Sequence, residues 1–482
     1  MGLSFVDGIR RAAARNAAAP ALVTGGRVVT HKELLDLVAR IGNLLADRGL
    51  RPRSKIFLNF SDPDMRLAAM IATMHCGMIP FALLELGEEP AEIDYDLVLG
   101  AYDLSAADPK PDLVIDQKTL AAADPQLRNF PDRSGNDILF VAATTGTTGR
   151  RKLVAETVGR FEVLAAQSRP SPAGGTSSNG GVGADDRLMR TTGDATKSSL
   201  TGALRALGVG ATYVRFEPNI PECLRLINIL GVTRLVATPA ALTQLVDGME
   251  RLGVRCPSLL SVNLTGSLFG PELLQRAERQ LDATLFVTYG SAEAGNIAFG
   301  RITSATFRPG YVGELSPNLR LIGTGSREEP AGLVIASVAG GFAPYYTKGT
   351  AAAPAAMLAL PDLGYAEGFS LYLLGRGDEV LNMSGNKTAF SIIEGALRQM
   401  PGVRDVAIVG GAGEAAGAII AVVADAPDST ADIVERVCRI ARIVPQDSGQ
   451  IRVFRMGLIP RNVSGKVDRN AVVQAFRRSP AP

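Results

Sequence analysis

The sequence predicts an α/β protein with a large N-terminal domain of mixed sheets packed with helices, a β-rich subdomain and a small α+β C-terminal domain. Apolar runs of strand length alternate with helical patterns as far as about Gly300, which is typical of a largely parallel sheet with crossover helices. Short strands with frequent glycine and proline follow, and a small α+β pattern begins near Gly375. We therefore predict a domain boundary near Asp378, which gives residues 1–377 and 378–482.

The individual elements follow from apolar periodicity and from helix-terminating residues. Thr30 and Glu33 form a capping-box pattern ahead of an amphipathic helix that Gly49 closes. Further strands are predicted at 55–60, 78–83, 138–143, 211–216, 233–238, 284–288, 403–409 and 418–424. Further helices are predicted at 63–75, 158–167, 200–207, 221–230, 270–281, 389–400 and 431–440.

The composition is that of a globular protein without a strong charge preference. Of its 482 residues, 46% are hydrophobic and 20% are charged, and the formal net charge is +2. No basic block would follow a nucleic-acid backbone, and the longest apolar run, Ala418 to Ala424, is too short to cross a bilayer. Charge at Asp7 interrupts any signal-peptide core. We expect a cytoplasmic protein with neither a nucleic-acid nor a membrane partner.

Cysteine and histidine are sparse and scattered, with no metal-ligand spacing among them. They are Cys76, Cys223, Cys256, Cys438, His31 and His75. We expect free cysteines in a reducing compartment, and neither a zinc site nor a Cys/His nucleophile pair.

A threonine- and glycine-rich stretch follows the apolar run 138–143 and precedes a cationic cluster. It consists of Thr144, Thr145, Gly146, Thr147, Thr148, Gly149, Arg150, Arg151 and Lys152. Glycine lets the backbone approach a ligand, and hydroxyl and amide groups are donors that an anion can use. The spacing is not that of a Walker P-loop, and a stretch of this kind is on its own more often an ordinary surface loop. Phosphate binding is therefore a hypothesis that the later motifs must support.

A second glycine pattern points to a different class of enzyme. Residues 411–416 satisfy the dinucleotide fingerprint G-x-G-x-x-A, but the segment 418–424 that follows has the pattern of a strand, where the fingerprint requires a helix. A loop between two strands is the favoured interpretation, and a nicotinamide-dependent dehydrogenase is the weaker alternative.

Four motifs in a fixed order closely resemble the adenylate-forming superfamily of acyl-CoA synthetases, nonribosomal adenylation domains and luciferases. They are the stretch 144–152, the run Tyr289–Glu293, Asp362 with Gly375–Asp378, and the run Pro460–Lys466. The resemblance extends from about Thr30 to Arg469. It implies a small, mobile C-terminal domain and two half-reactions, in which a carboxylate and ATP give acyl-AMP and a thiol then displaces AMP.

The resemblance also implies a role for each position. The stretch 144–152 would bind the β- and γ-phosphates, with Lys152 at the γ end, and Glu293 would bind Mg²⁺. Lys466 would lie over the α-phosphate during adenylation and swing away for thioester formation. The remaining nucleotide and thiol contacts would come from Tyr289, Gly290, Ser291, Gly266 and Ser267 at the adenine, Asp362 and Arg376 at the ribose or phosphate, and Gly385 beside the pantetheine tunnel. Asp378 would be the hinge.

Several positions depart from the family pattern. Arg151 and Leu153 flank Lys152 where the family usually has proline and glycine, and Asn382 stands where lysine is common. Ala292 replaces a threonine that usually contacts the α-phosphate, which removes a donor that contributes on the order of 1–3 kcal/mol if nothing replaces it. These departures keep open a third interpretation, a catalytically impaired nucleotide- or acyl-binding paralogue.

The expected substrates are ATP, a small carboxylic acid and a thiol. Parts of 192–200, 236–240 and 263–268 would line the acyl pocket. These segments are small and apolar with some hydroxyls, which favours an acid that is not an amino acid. Sixteen residues follow Lys466, so we expect a free-standing enzyme that uses CoA. The phosphopantetheine arm of a separate carrier protein is the alternative acceptor, and a homodimer is left open.

Overall fold

Helices and strands alternate along most of the chain. The computed structural model describes residues 3–82, 94–101, 110–130, 132–143, 152–167, 181–192, 196–338, 341–347, 350–383, 386–410, 418–424, 430–461 and 467–478. The helices in this part of the chain are α1 (Ser4–Arg15), α2 (His31–Asp47), α3 (Pro63–His75), α4 (Gln117–Ala122), α5 (Val158–Gln167), α6 (Lys197–Val209), α7 (Ile220–Leu230), α8 (Pro239–Leu252), α9 (Pro271–Gln280), α10 (Phe390–Leu397), α11 (Thr430–Ala441) and α12 (Arg469–Arg478).

The strands of the first half are β1 (Pro20–Thr24), β2 (Arg27–Thr30), β3 (Lys55–Asn59), β4 (Ile79–Ala82), β5 (Leu97–Ala101), β6 (Leu113–Ile115), β7 (Ile138–Ala143), β8 (Leu153–Thr157), β9 (Arg187–Arg190), β10 (Thr212–Arg215), β11 (Arg234–Ala237), β12 (Ser261–Thr265) and β13 (Thr284–Ser291). Those of the second half are β14 (Gly295–Arg301), β15 (Tyr311–Leu315), β16 (Leu319–Gly323), β17 (Ala331–Ser337), β18 (Tyr345–Thr347), β19 (Thr350–Ala351), β20 (Met357–Glu367), β21 (Ser370–Arg376), β22 (Val380–Met383), β23 (Asn386–Ala389), β24 (Val403–Gly410), β25 (Ala418–Ala424) and β26 (Ile451–Arg455).

The first sheet has the strand order β16-β17-β20-β21-β15-β14-β13-β12-β11-β9-β10-β1-β2. Its central strands β13, β12, β11, β9, β10 and β1 are parallel, so their carboxyl ends lie along one edge. From β14 onward the pairing is antiparallel. The predicted β-rich region is therefore a continuation of this sheet through β14 and β15, and it does not form a sheet of its own.

The second sheet has the order β19-β18-β8-β7-β4-β3-β5-β6 and is parallel from β7 to β6. One hydrophobic core contains residues of both large sheets and of helices α1, α2, α3 and α6. Helices α7, α8 and α9 pack with strands β10 to β13 of the first sheet in a second core. Apolar side chains thus cover the central parallel strands, and the polar residues of interest come at their ends.

The C-terminal region has a three-stranded sheet of its own, in the order β24-β25-β26. Helices α10 and α11 pack with this sheet in one cluster of buried residues, and α12 contributes Val472 to another. These two clusters contain no residue before Leu381. The boundary near Asp378 stays a prediction, and a 3₁₀ turn at Gly377–Glu379 lies at this point.

The predicted fold class is confirmed, and the predicted elements recur with small changes at their ends. Thr30 caps α2 in the capping box that the sequence predicts. Strand β13 is longer than predicted, since Tyr289, Gly290 and Ser291 pair with β14 and belong to the strand itself. Residues 411–417 lie outside the described residues, and β24 and β25 on either side of them pair antiparallel, so no helix follows the fingerprint.

Among the described residues, no helix is both long and apolar enough to cross a lipid bilayer. The four cysteines carry no disulfide, and burial raises the pKa of the Cys76 and Cys223 thiols to about 12.

Candidate active site

The segments that we expect around the nucleotide and the acyl group come from the ends of neighbouring strands. Strands β9, β11, β12 and β13 are adjacent and parallel, and each is followed by one of these segments. Thr191, just after β9, accepts a hydrogen bond on its hydroxyl from the amide of Thr238, just after β11, at 3.0 Å. The carboxyl edge of a parallel sheet is where ligands bind in open α/β folds.

Tyr289 and Asp362 come together across this edge although 73 residues separate them. The phenol of Tyr289 donates a hydrogen bond to Oδ2 of Asp362 at 2.5 Å. Burial and the adjacent carboxylate raise the pKa of the Tyr289 hydroxyl, so it stays protonated. An aromatic ring is thus held beside a carboxylate, which is the arrangement that the resemblance implies for adenine and ribose.

Arg376 lies directly opposite Asp362 in the β20–β21 ladder. Its guanidinium donates two hydrogen bonds to Asp378, at 2.8 and 2.9 Å. This pairing raises the pKa of Arg376 and lowers that of Asp378. Arg376, which is predicted to contact the ribose or a phosphate, is therefore hydrogen-bonded to Asp378, the predicted hinge residue.

Two of the predicted glycines lie at positions where a residue with a side chain would be strained or would clash. Gly266, in the turn after β12, has a φ of +98°, a region that residues with a Cβ rarely adopt. A Cβ at Gly290 would lie 2.3 Å from the carbonyl oxygen of Gly295. Gly266 and Ser267 are exposed at the sheet edge. The backbone here can therefore come close to a flat ligand.

Glu293 lies in the turn between β13 and β14 and is held at several atoms. Tyr345 donates from its phenol to Oε1 of Glu293 at 2.6 Å. The amide of Ala343 donates to the Glu293 carbonyl at 2.9 Å. Lys152 places its ammonium 4.9 Å from the centre of the Tyr345 ring, a cation–π distance. Tyr345 thus connects the predicted phosphate-binding lysine with the predicted metal ligand.

The donor set at Glu293 suits magnesium bound together with a nucleotide. Among the described residues, no group of three or more Asp, Glu, His or Cys side chains could hold a metal ion alone. Mg²⁺ is commonly bound by one or two carboxylates together with substrate phosphates and water. A single half-buried carboxylate beside a lysine fits that mode. Glu293 would hold the ion, and Tyr345 would orient its carboxylate.

A buried ionic cluster lies next to the same turn. The ammonium of Lys197 is 2.8 Å from Oε2 of Glu156 and donates to the carbonyl of Ala292 at 2.6 Å. Arg160 donates to both Glu156 oxygens, at 2.8 and 2.7 Å. Burial alone would raise the pKa of the Glu156 carboxyl, but the two cations bring it below its ordinary value. Ala292, the position where the family hydroxyl is missing, is therefore contacted through its backbone.

The segment around the predicted hinge is tied to the C-terminal region by Arg469. Its guanidinium is 3.2 Å from Glu379 and 2.9 Å from the buried Glu394, and it lies over the ring of Phe390. Arg461 and Val467 form an antiparallel bridge on either side of residues 462–466. Lys466 therefore comes directly before a paired residue.

Several predicted site residues lie outside the described residues. They are Thr144, Thr145, Gly146, Thr147, Thr148, Gly149, Arg151, Gly385 and Lys466, together with the side chain of Asn382. Three groups of predicted residues are described and lie close together: Tyr289 with Asp362, Arg376 with Asp362 and Asp378, and Glu293 with Lys152 through Tyr345.

Sequence reasoning did not identify Tyr345, Glu156 or Arg160, and it covered Lys197 only as part of the segment 192–200 that is expected near the acyl pocket. One signal was present: Glu156 interrupts the apolar strand β8, and a charge there needs a partner. Tyr345 gave no comparable signal, because its role depends on the pairing of β18 with β8.

Comparison with known proteins identifies the family and the fold. The sequence matches the family model "AMP-binding enzyme" over residues 9–322. The 4-chlorobenzoate–CoA ligase of Pseudomonas sp. (strain CBS-3) is 25% identical over 294 residues, which cover 56% of this chain and 53% of that protein. This match spans about half of that relative's length.

Two further matches extend over nearly the whole chain. The indoleacetate–CoA ligase of Aromatoleum aromaticum (strain DSM 19018 / LMG 30748 / EbN1) is 24% identical over 494 residues and 94% of each protein is covered. The structure of O-succinylbenzoate coenzyme A synthetase from Bacillus subtilis, in complex with AMP, superposes with a TM-score of 0.77 at 18% identity. That superposition covers 96% of this chain and 97% of the other, so the folds are similar.

Proposed function

The chain belongs to the AMP-binding enzyme family, and we propose that it uses ATP to convert a carboxylic acid into an acyl-AMP and then transfers the acyl group to coenzyme A. The observation that carries this proposal is the convergence of Tyr289, Asp362 and Glu293 at one end of β13. An aromatic ring, a carboxylate for ribose and a carboxylate for Mg²⁺ are the groups that a metal-bound nucleotide requires.

In the first half-reaction, a carboxylate oxygen of the acid attacks the α-phosphorus of ATP. The bond from this phosphorus to the bridging oxygen breaks, and pyrophosphate leaves with the electron pair. Negative charge on the phosphoryl oxygens is stabilised by cations and hydrogen-bond donors. When bound, Mg²⁺ neutralises phosphate charge and orients the phosphate oxygens.

We assign the protein's own contributions to this step by position. Lys152 and the hydroxyls and amides of residues 144–149 hold the β- and γ-phosphates, and Lys466 approaches the α-phosphate. Tyr289 lies against the adenine, while Asp362 accepts from the ribose hydroxyls. The hydrogen bond from the Tyr289 hydroxyl to Oδ2 of Asp362 supports the last role, because it orients the carboxylate.

In the second half-reaction, the thiol sulfur attacks the acyl carbon, the bond from this carbon to the AMP oxygen breaks, and the thiol proton passes to solvent. Lys466 must first withdraw, so we propose that residues 378–482 turn as a unit about Asp378. The ion pair of Arg376 with Asp378 supports this proposal, because both partners are partly exposed and such pairs cost little to break. The separate C-terminal cores also support it.

An aromatic or similarly compact acid is the substrate class that we propose. The relatives described above are named for 4-chlorobenzoate and indoleacetate. The segments at the ends of β9 and β11 combine hydroxyls with small apolar residues: the hydroxyls of Thr192 and Ser199 hydrogen-bond to each other at 2.6 Å, and Ala240 is exposed. Such a surface favours a ring with few polar substituents.

Exchange of labelled pyrophosphate into ATP, measured across a panel of carboxylic acids headed by aromatic ones, tests the proposal. We expect exchange with at least one acid and AMP release when CoA is added. Glu293→Gln should lower exchange by at least tenfold, because an amide is a poor ligand for Mg²⁺. Glu314→Gln, an exposed position on β15, is the matched control and should leave exchange unchanged.

The other two interpretations give different outcomes in the same experiment. Exchange followed by AMP release with a carrier protein, and none with CoA, would assign the enzyme to carrier loading. Folded protein that exchanges with no acid would identify an impaired paralogue, the outcome motivated by Ala292, Arg151 and Leu153.

A further inference from the structure

Lys197 is a buried lysine in the first turn of a helix. It is the first residue of α6, directly after the N-cap Thr196, and its side chain is 7% exposed. The N-terminus of a helix carries partial positive charge, which disfavours a cation there. Burial lowers the pKa of Lys197 to about 8, although Glu156 acts in the opposite direction. Lysine at this position therefore costs stability on two counts.

The neutralisation of Glu156 does not by itself explain this cost. Glu156 is 1% exposed and already receives two hydrogen bonds from Arg160. Both bonds come from Nη1 of Arg160, so a cation already contacts each oxygen of the carboxylate without Lys197. The contact that no other described side chain makes is the hydrogen bond from Lys197 to the carbonyl of Ala292.

Ala292 is the residue through which Lys197, on α6, contacts the turn between β13 and β14. Its own side chain has no polar atom, so only its backbone can be held by a hydrogen bond. The next residue, Glu293, accepts hydrogen bonds from the amide of Ala343 and the phenol of Tyr345. Lys197 and Tyr345 thus hold the same two-residue segment from two different elements.

We propose that Lys197 is a positioning residue of the adenylation site. Its ammonium, held by Glu156, fixes the Ala292 carbonyl and thereby the direction in which the Glu293 carboxylate meets Mg²⁺ and the phosphates. This inference rests on the proposed function and adds to it a residue at a position with no assigned role. Glu156 also joins this contact to β8, the strand that follows Lys152, so the metal-binding turn and the phosphate-binding segment share one anchor.

Binding measurements on the full chain test this role separately from activity. Lys197→Met keeps the apolar stem and removes the donors. We expect the Kd for Mg²⁺·ATP to rise about tenfold and the Kd for AMP without metal to stay within twofold, because AMP without metal lacks the Mg²⁺ ion and the β- and γ-phosphates that the Glu293 carboxylate is proposed to meet. Lys32→Met, at an exposed lysine on α2 paired with Asp36, is the control and should change neither constant.

Two further variants distinguish positioning from a general loss of structure. Lys197→Arg retains donors and should restore part of the Mg²⁺·ATP affinity. If Lys197→Met fails to fold, the triple variant Lys197→Met/Glu156→Gln/Arg160→Met removes the charges of all three residues of the buried cluster. Thermal unfolding should show this variant to be folded, and it should have the same selective loss.

The outcomes separate this inference from the proposed function. Equal losses of AMP and Mg²⁺·ATP affinity, or unchanged Mg²⁺·ATP affinity in folded Lys197→Met or in the triple variant, would overturn the positioning role. If neither variant folds, Lys197 is a structural residue and the inference is wrong. Unmodified protein that binds neither AMP nor Mg²⁺·ATP would instead contradict the proposed function.

Discussion

Tyr345 donates a hydrogen bond from its phenol to Oε1 of Glu293 across 2.6 Å, and Lys152 lies over the face of the same ring. Burial and the bond to Glu293 raise the pKa of the tyrosine, so the phenol remains a donor through the physiological range. One aromatic side chain therefore contacts both the proposed phosphate ligand and the proposed metal ligand.

Tyr345→Phe keeps the ring under Lys152 and removes the donor to Glu293. We expect the Mg²⁺ concentration for half-maximal pyrophosphate exchange to rise about fivefold, as for the loss of one hydrogen bond of about 1 kcal/mol. Excess Mg²⁺ should restore most of the rate. Tyr346→Phe is the matched control, since its hydroxyl has no partner among the described residues. A rise of the same size in both variants would argue against a specific role of the Tyr345 hydroxyl.

Tyr289→Phe removes the donor that orients Asp362. We expect the Kd for AMP to rise about fivefold, because the carboxylate loses a hydrogen bond of about 1 kcal/mol that holds it towards the ribose. Isothermal titration calorimetry with AMP measures this change. Tyr365→Phe, on β20 with its ring stacked on Tyr372, removes a hydroxyl elsewhere on the strand of Asp362 and should leave the Kd unchanged. An unaltered Kd for AMP in Tyr289→Phe would show that the Tyr289 hydroxyl does not orient Asp362 for AMP binding.

Lys466→Ala should separate the two half-reactions. We expect adenylation, measured by pyrophosphate exchange, to fall at least a hundredfold, because the α-phosphate loses a cation. Thioester formation from supplied acyl-AMP and CoA should stay within about threefold, because Lys466 is proposed to be absent from that state. If the rates of both half-reactions fall equally, the proposal that residues 378–482 rotate between them is wrong.

Arg469→Met should destabilise the C-terminal region. The variant leaves Glu394, which is 5% exposed, without its closest charged partner, and breaking a buried pair typically costs about 3 kcal/mol. We expect a lower urea midpoint for the unfolding of this region. Arg439→Met breaks the exposed pair with Glu435 on α11 and should change stability by about 0.5 kcal/mol or less. Comparable midpoints for the two variants would show that Arg469 contributes no more than a surface residue.

The stability contribution of Lys197 should depend on pH in the alkaline range. Its pKa is lowered from 10.5 to about 8 in the folded protein. Between these values the unfolded chain binds more protons than the folded one, so the free energy of unfolding rises with pH. Glu156, Arg160 and Glu293 are the charged groups that act on the ammonium.

Lys197→Met lacks this titration. The free energy of unfolding of the unmodified protein, minus that of the variant, should increase from pH 8 to pH 10.5 by on the order of 2–3 kcal/mol. Urea titrations at fixed pH values measure the difference. A difference that is flat over this range would mean that the ammonium is not destabilised by burial.

Much of the fold follows from local patterns. Helices Pro63–His75 and Val158–Gln167 and the strand Ala418–Ala424 are predicted to the residue, because apolar periodicity and terminating residues mark their ends. Helix α8, Pro239–Leu252, is not predicted. The pattern predicts a strand at 233–238 with no helix after it, whereas Thr238 caps α8 and Pro239 is the first residue of that helix. Proline at a strand end and proline at a helix start have the same sequence pattern.

The sequence by itself determined the family and the order of the motifs, and it supplied Tyr289, Glu293 and Asp362 as candidate site residues. It could do so because a reaction that needs particular side chains places them at recurring positions along the chain. Tertiary structure alone decided which of them touch. The hydrogen bond from Tyr289 to Asp362 joins β13 to β20, between which the sheet has β14, β15 and β21. The contact from Tyr345 to Glu293 depends on the pairing of β18 with β8. The bond from Lys197 to Ala292 joins residues 95 positions apart. Such contacts depend on the packing of elements that are distant in the chain, so no local sequence pattern predicts them.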